Sequence, residues 1–235
     1  MLAAGRLIGT LPPPGILPML DFNFARRQMI EQQVRAWAVL DLAVLDTMAR
    51  VPREAFVPPA YHDLAFADMN VPLGHGQGML APKLEGRILQ ALELKPDDSV
   101  LEIGTGSGYF AACLGSLART VTSVEIFPDL ADAARSSLLR AGVSNVTVEA
   151  GDAFGRSDPA RYDVIVLTGS LPLYDARFEQ VLAEGGRLFA VVGQGHVMEA
   201  TRVTRTHGGQ WQRDVLFETV MDPLVHAAEP PRFVF

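Results

Sequence analysis

Cysteine is almost absent: Cys113 stands alone in 235 residues. No intrachain disulfide can form, so the fold does not rely on an oxidising compartment. The five histidines (His62, His75, His196, His207 and His226) are scattered. No CxxC, HxxxH or HExxH pattern accompanies them, and a structural metal site is not expected. A basic surplus is missing too. Twenty Lys and Arg face 27 Asp and Glu, giving a net charge of −7. That balance argues against non-specific binding to nucleic acid or to an anionic membrane. No window approaches the roughly 20 apolar residues that span a bilayer. The first 18 residues, MLAAGRLIGTLPPPGILP, lack the unbroken apolar run and small-residue cleavage site of a signal peptide. They are expected to be a flexible tail, or to follow from an upstream start codon with Met19 as the functional start, on a cytoplasmic chain.

What is present suits one domain over residues 19–235. Hydrophobic residues make up 49% of the chain and charged ones 20%, enough for a sizeable core without global disorder. Residues 19–97 open with two helical stretches. Asn23 is expected to cap FARRQMIEQQVRAWAV, with Met29, Ile30, Val34 and Trp37 as an apolar stripe. Asp41 is expected to cap LAVLDTMARV. A Pro-rich, aromatic stretch follows to Pro82 with little periodicity, and a loop of that length is usually functional. A helix is expected from about Pro82 to Leu94.

Residues 98–235 alternate strand and helix. SVLEIG, TVTSVEI, NVTVEAGD, YDVIVLTG and RLFAVVG read as strands. GYFAACLGSLA, PDLADAARSSLLRAG and DARFEQVLAEGG read as helices. This alternation implies βαβ units and a mostly parallel sheet. A closing hairpin turning at Gly208-Gly209 adds one antiparallel strand.

The segment VLEIGTGSGYFAA carries the most chemistry. A buried strand runs into a glycine turn and then a helix. Gly104, Gly106 and Gly108 allow a tight turn and close approach of backbone to a ligand. The spacing is G-x-G-x-G, and Tyr109 stands where a dinucleotide fingerprint needs a small residue. No GK[ST] follows, so a triphosphate loop is excluded. Glu125 ends the second strand, where a carboxylate accepts hydrogen bonds from ribose hydroxyls. Asp152 ends the third strand, on the purine side. Glu102 sits inside an apolar run and needs a partner, either a ligand ammonium or loop amides. A nucleoside-type site is therefore expected at three consecutive strand ends, with Thr105, Ser107, Ile126 and Ala153 as flanking members. Cys113 lies four residues after Tyr109 on one helix face and reads as buried and inert.

VLEIGTGSGYFAA, with SVE, GD and GGRLFAVVG, resembles the class I S-adenosylmethionine-dependent methyltransferases. RRQMIEQQVRA, VLDTMARVPREAFVPPAY and ADMNVPLGHGQGMLAP narrow the resemblance to the protein-L-isoaspartate O-methyltransferase family, from about residue 26 to 224. It implies a Rossmann-like α/β fold: a mostly parallel seven-stranded sheet, helices on both faces and an N-terminal helical extension. It also implies S-adenosyl-L-methionine as cofactor and methylation of isoaspartyl (D-aspartyl) carboxylates in damaged proteins or peptides. His75 and Gln77 fall in the loop expected to cover the donor.

The chain departs from the family after PLGHGQ. The family's T-I-S-x-P is here Gly78-Met79-Leu80-Ala81-Pro82, so Leu80 holds the serine place and two hydroxyls are lost. No catalytic residue is assigned; Thr168, Ser170 and Tyr174 are candidates to replace the missing hydroxyl. Three functions follow: isoaspartyl methylation, methylation of another peptide or small-molecule acceptor, or donor binding without catalysis. A monomer or weak dimer is expected.

Overall fold

A computed structural model describes residues 21–156 and 161–231. The expected tail at residues 1–18 lies outside them. Helix α1 (Phe22–Met29) starts at Asp21, not Asn23. Asp21 Oδ1 accepts from the N–H groups of Asn23 and Phe24 at 3.0 and 3.1 Å, closing two amides that a helix start leaves open. The expected single helix then changes pitch: Ile30–Val34 is a π segment and Arg35–Trp37 a 3₁₀ turn. The wider turn shifts the helical phase. Trp37 therefore leaves the apolar stripe, is 40% exposed, and carries the Lys83 ammonium 4.5 Å from its ring centroid. Helix α2 (Leu42–Arg50) is capped by Asp41 as expected.

The stretch after Val51 is ordered. It holds 3₁₀ turns at Arg53–Phe56 and Pro59–Leu64 and a hairpin, β1 (Val71–Gly74) and β2 (Gln77–Met79). Helix α3 covers Pro82–Leu92. Strands β3 (Ser99–Ile103), β4 (Thr120–Glu125), β5 (Val146–Ala150), β6 (Tyr162–Leu171), β7 (Leu182–Gln194), β8 (Val197–Arg205) and β9 (Trp211–Thr219) form one sheet in the order β5-β4-β3-β6-β7-β8-β9. The pairs from β5 to β7 are parallel. Only β8 runs antiparallel to its neighbours on both sides.

Alternate side chains on these strands serve two cores. Val100, Val121, Val164, Val166 and Phe189 pack with residues from α1, α2, α3, α4 (Tyr109–Leu117) and α5 (Pro128–Arg140). Leu101, Ile103, Ile165, Leu167 and Leu188 face the other way, against the 3₁₀ turns Ala153–Gly155 and Ala176–Val181 and against Leu224. Helical elements thus cover both faces, with the α-helices on one. The helix expected over DARFEQVLAEGG is corrected: one 3₁₀ turn ends at Val181 and β7 begins at Leu182. Its glycines are not a helix stop. A Cβ on Gly186 would lie 2.8 Å from Ala183 O and 3.0 Å from Asp163 O, so glycine there allows two strands to approach closely.

Candidate functional site

The strand tips on the carboxyl side of β3, β4 and β6 surround a cavity. The turn between β3 and α4 forms its floor. Gly104 and Gly106 have φ of +100° and +52°, the left-handed region that favours glycine. A Cβ on Gly104 would come within 2.4 Å of Thr168 Oγ1, so the loop requires its missing side chain. Gly108 does not line the cavity. It starts α4, and a Cβ there would meet Ala134 Cβ at 3.2 Å, so its place is set by packing on α5.

Glu125 lines the cavity. Its Oε2 accepts from Gly106 N–H at 2.8 Å and its Oε1 from Phe127 N–H at 3.1 Å. A carboxylate has about four acceptor sites, so capacity remains for two further donors. Asp152 lines the cavity at the next strand tip. Its Oδ1 accepts from Phe154 N–H at 2.8 Å, and its Oδ2 lies 2.9 Å from His226 Nδ1. Burial alone would raise its pKa, but His226 and the Phe154 amide outweigh that and hold it below the usual value. Ile126, Ala153, Gln77 and Thr168 complete the expected lining, while Leu73, Phe127, Phe154, Leu224 and Val225 join it unforeseen. Phe127 follows Glu125 and Ile126 directly and could have been found on that ground; nothing in the sequence marks Leu224.

Glu102 is corrected. It is fully buried, stands outside the lining of this cavity, and takes its partner from the scaffold. Ser123 Oγ donates to Glu102 Oε2 at 2.5 Å and stands 2.5 Å from Thr105 Oγ1. The chain Glu102–Ser123–Thr105 ties the glycine turn to β3 and β4. Glu102 Oε1 has no partner. Burial pushes this carboxyl up to about 8, with the Ser123 hydroxyl opposing and nearby Glu125 adding to the rise.

A smaller cavity joins the first, and both include Gly78, Gly104, Gly106 and Thr168. Leu80, Met79, Glu85, Thr105, Ser107 and Phe110 enclose it. Of the three candidate hydroxyls only Thr168 reaches it. Thr168 Oγ1 is 2.8 Å from Ile103 O and 2.5 Å from Gly104 O. Ser170 is spent elsewhere, donating to Met221 O at 2.8 Å and fastening the segment that carries Leu224. Tyr174 donates to Glu179 Oε1 at 2.6 Å beneath the Arg213 guanidinium. Beside the smaller cavity lies a buried ion pair, Arg53–Glu85, which the sequence reading did not identify. Burial raises Glu85 to about 8, and the Arg53 charge opposes that rise.

His75, expected to contact the donor, lines neither cavity. It occupies the hairpin turn with φ +52°, stacks on Phe127 with centroids 4.1 Å apart, and meets Asp129 Oδ2 at 2.9 Å. Its hydrogen bond is the main force holding the Asp129 carboxyl below its usual pKa. Cys113 is buried, and burial pushes its thiol well up, so it is not a nucleophile. Among the described residues no group of three or more His, Cys, Asp or Glu could hold a metal ion. No helix there is long and apolar enough to cross a membrane.

A glycine turn after the central strand, with carboxylates at the next two strand tips, defines a Rossmann-like domain of the class I methyltransferase type. A Plasmodium falciparum protein-L-isoaspartate O-methyltransferase crystallised with S-adenosyl-L-homocysteine shares this fold. Its TM-score is 0.75 at 20% identity, over 85% of this chain and 97% of that one. The chain belongs to the protein-L-isoaspartate(D-aspartate) O-methyltransferase family, whose model matches residues 25–229. Relatives named protein-L-isoaspartate O-methyltransferase include one from Koribacter versatilis, 39% identical over 88% of this chain and 93% of its own length. Another, from Methanoculleus marisnigri, is 41% identical over 78% and 84%.

Proposed function

We propose that this protein transfers a methyl group from S-adenosyl-L-methionine to the carboxylate of isoaspartyl residues in proteins or peptides, in the cytoplasm. The observation that carries the reading is the pairing of Glu125 and Asp152 at adjacent strand tips around the glycine turn, in a chain that matches this family over most of its length. The cavity fits the cofactor: the backbone at Gly104 lies where a Cβ would collide, and Glu125 keeps free acceptor sites. When bound, the cofactor supplies an electrophilic methyl on a sulfonium.

The chain's own residues then have defined tasks. Glu125 accepts hydrogen bonds from the ribose, and Asp152 and Ala153 border the purine. Gly104 to Ser107 present main chain to the amino-acid end. The junction of the two cavities, at Gly78 and Thr168, holds the reacting atoms. Leu73, Leu80 and Phe110 exclude water there, which strengthens electrostatic interactions and desolvates the acceptor. No general base is required, because a carboxylate with a reference pKa near ~4 is already ionised at neutral pH. Rate comes from holding acceptor oxygen, methyl and sulfur in line.

One observation favours a second reading. Leu80 presents an aliphatic side chain to the smaller cavity, and the Thr168 hydroxyl points at main-chain carbonyls. That pocket favours a less polar acceptor. Incubation with methyl-labelled donor and an isoaspartyl peptide, followed by counting of base-labile methyl esters, separates the two. Turnover dependent on the isoaspartyl linkage supports the main reading. Donor binding without esters on that peptide moves the assignment to another acceptor, or to donor binding alone.

A further inference from the structure

Leu80 and Ala81 link β2 to α3 and belong to neither element, and Leu80 lines the smaller cavity. The peptide unit joining Leu80 to Ala81 is held at both of its polar atoms by side chains. Arg53 Nη2 donates to Leu80 O at 2.7 Å. Asn70 Oδ1 accepts from Ala81 N–H at 2.9 Å. The two side chains come from different segments, one from the 3₁₀ turn at Arg53–Phe56 and one from the residue before β1.

Arg53 is itself bonded through Nε, Nη1 and Nη2. It is fully buried, its Nε donates to Ala65 O at 2.8 Å, its Nη1 pairs with Glu85, and its guanidinium lies 4.9 Å from the centroid of the Tyr109 ring. Asn70 is exposed and contributes one acceptor. A peptide unit bonded at both oxygen and N–H cannot flip, so ψ of Leu80 and φ of Ala81 are fixed together. The direction in which Leu80 enters the cavity is fixed with them.

We propose that Arg53 and Asn70 are positioning residues that clamp the Leu80–Ala81 peptide and thereby set the geometry of the reacting end of the site. Neither lines the cavity where Glu125 and Asp152 sit, so the clamp acts on turnover and leaves donor binding intact. The kinetic part rests on the methyl-transfer reading above; the structural part does not. A misplacement of about 1 Å can cost up to about 100-fold in rate, so loss of one of the two bonds has a kinetic consequence.

Asn70 allows a test without disturbing the buried ion pair. Asn70→Ala removes the acceptor, whereas Asn70→Asp keeps an acceptor oxygen. Both are compared with wild type, saturated with S-adenosylhomocysteine, by hydrogen exchange at the Ala81 amide. The same proteins are assayed for kcat on an isoaspartyl peptide and for S-adenosylhomocysteine affinity. Asn70→Ala is expected to speed Ala81 exchange about fivefold, the equivalent of one hydrogen bond. It should lower kcat about tenfold with donor affinity unchanged. Asn70→Asp should restore both. Equal Ala81 exchange in wild type and Asn70→Ala overturns the clamp. So does an undiminished kcat despite faster exchange, or a donor affinity that falls in step with kcat. Should wild type methylate no isoaspartyl peptide, the functional reading fails, and the exchange measurement alone decides the clamp.

Discussion

The two cavities meet at Gly78 and Thr168 but are built differently. The side that holds Glu125 and Asp152 is made by strand tips. Its acidic groups sit at register positions of a parallel sheet, and its curvature comes from glycine main chain. The Leu80 side adds the short link Leu80–Ala81, which is held in place by side chains, namely Arg53, Asn70 and the Arg53–Glu85 pair. A site formed by sheet geometry is constrained by the whole sheet. A site held by a few side chains changes when one of them, or one lining residue, changes. Leu80 falls on the second kind.

Removing Glu125 should have the largest effect. Glu125→Ala deletes the acceptor proposed for the ribose and leaves the amides of Gly106 and Phe127 without theirs. Affinity for S-adenosylhomocysteine should fall about 100-fold, as loss of charged hydrogen bonds implies, read by calorimetry. An unchanged affinity would break the contrast, because the strand tips would then not hold the nucleoside.

Glu102→Gln comes next and acts on stability. The Glu102 carboxyl has a folded pKa raised to about 8 from 4.5. Its contribution is therefore fully present below pH 4.5 and is lost as pH rises towards 8. Urea unfolding at pH 5 and pH 9 should show wild type weakening relative to Glu102→Gln by a few kcal/mol. Parallel curves would mean that Glu102 is charged inside the fold.

Leu80→Ser should affect only the second cavity, raising kcat/KM on an isoaspartyl peptide about tenfold, the size of one well-placed charged hydrogen bond. Donor affinity should stay level. A drop in donor affinity would show that the two cavities are not separable. Asp129→Asn should give the smallest change. Its carboxylate is exposed, and its pKa is held below 3.8 chiefly by the hydrogen bond to His75. Its contribution exists above that value and vanishes as pH falls through the lowered pKa. Thermal melts should show a slight loss in the variant at pH 6 that closes towards pH 3.

The same division explains what could be read from the sequence. The places of Glu125, Asp152, Gly104 and Gly106 beside one cavity were legible because strand, turn and helix have local patterns, and a strand end fixes where its last side chain points. Glu102 was misassigned because alternation along β3 says that it is buried, not that Ser123 on β4 would be its partner. The helix expected over residues 175–186 failed because Gly185 and Gly186 mimic a helix stop, whereas Gly185 takes a φ of +75° and Gly186 packs closely against Asp163. Trp37 was misplaced because a π segment leaves no mark in hydrophobic spacing. The Arg53 and Asn70 bonds to Leu80 and Ala81 span 27 and 11 residues of irregular chain, and no periodicity encodes contacts of that kind.

Titration of the full chain with S-adenosylhomocysteine by calorimetry, with a parallel thermal melt, tests the central claim most directly. The account predicts saturable binding of one ligand per chain and a raised melting temperature. No heat and no thermal shift would contradict it.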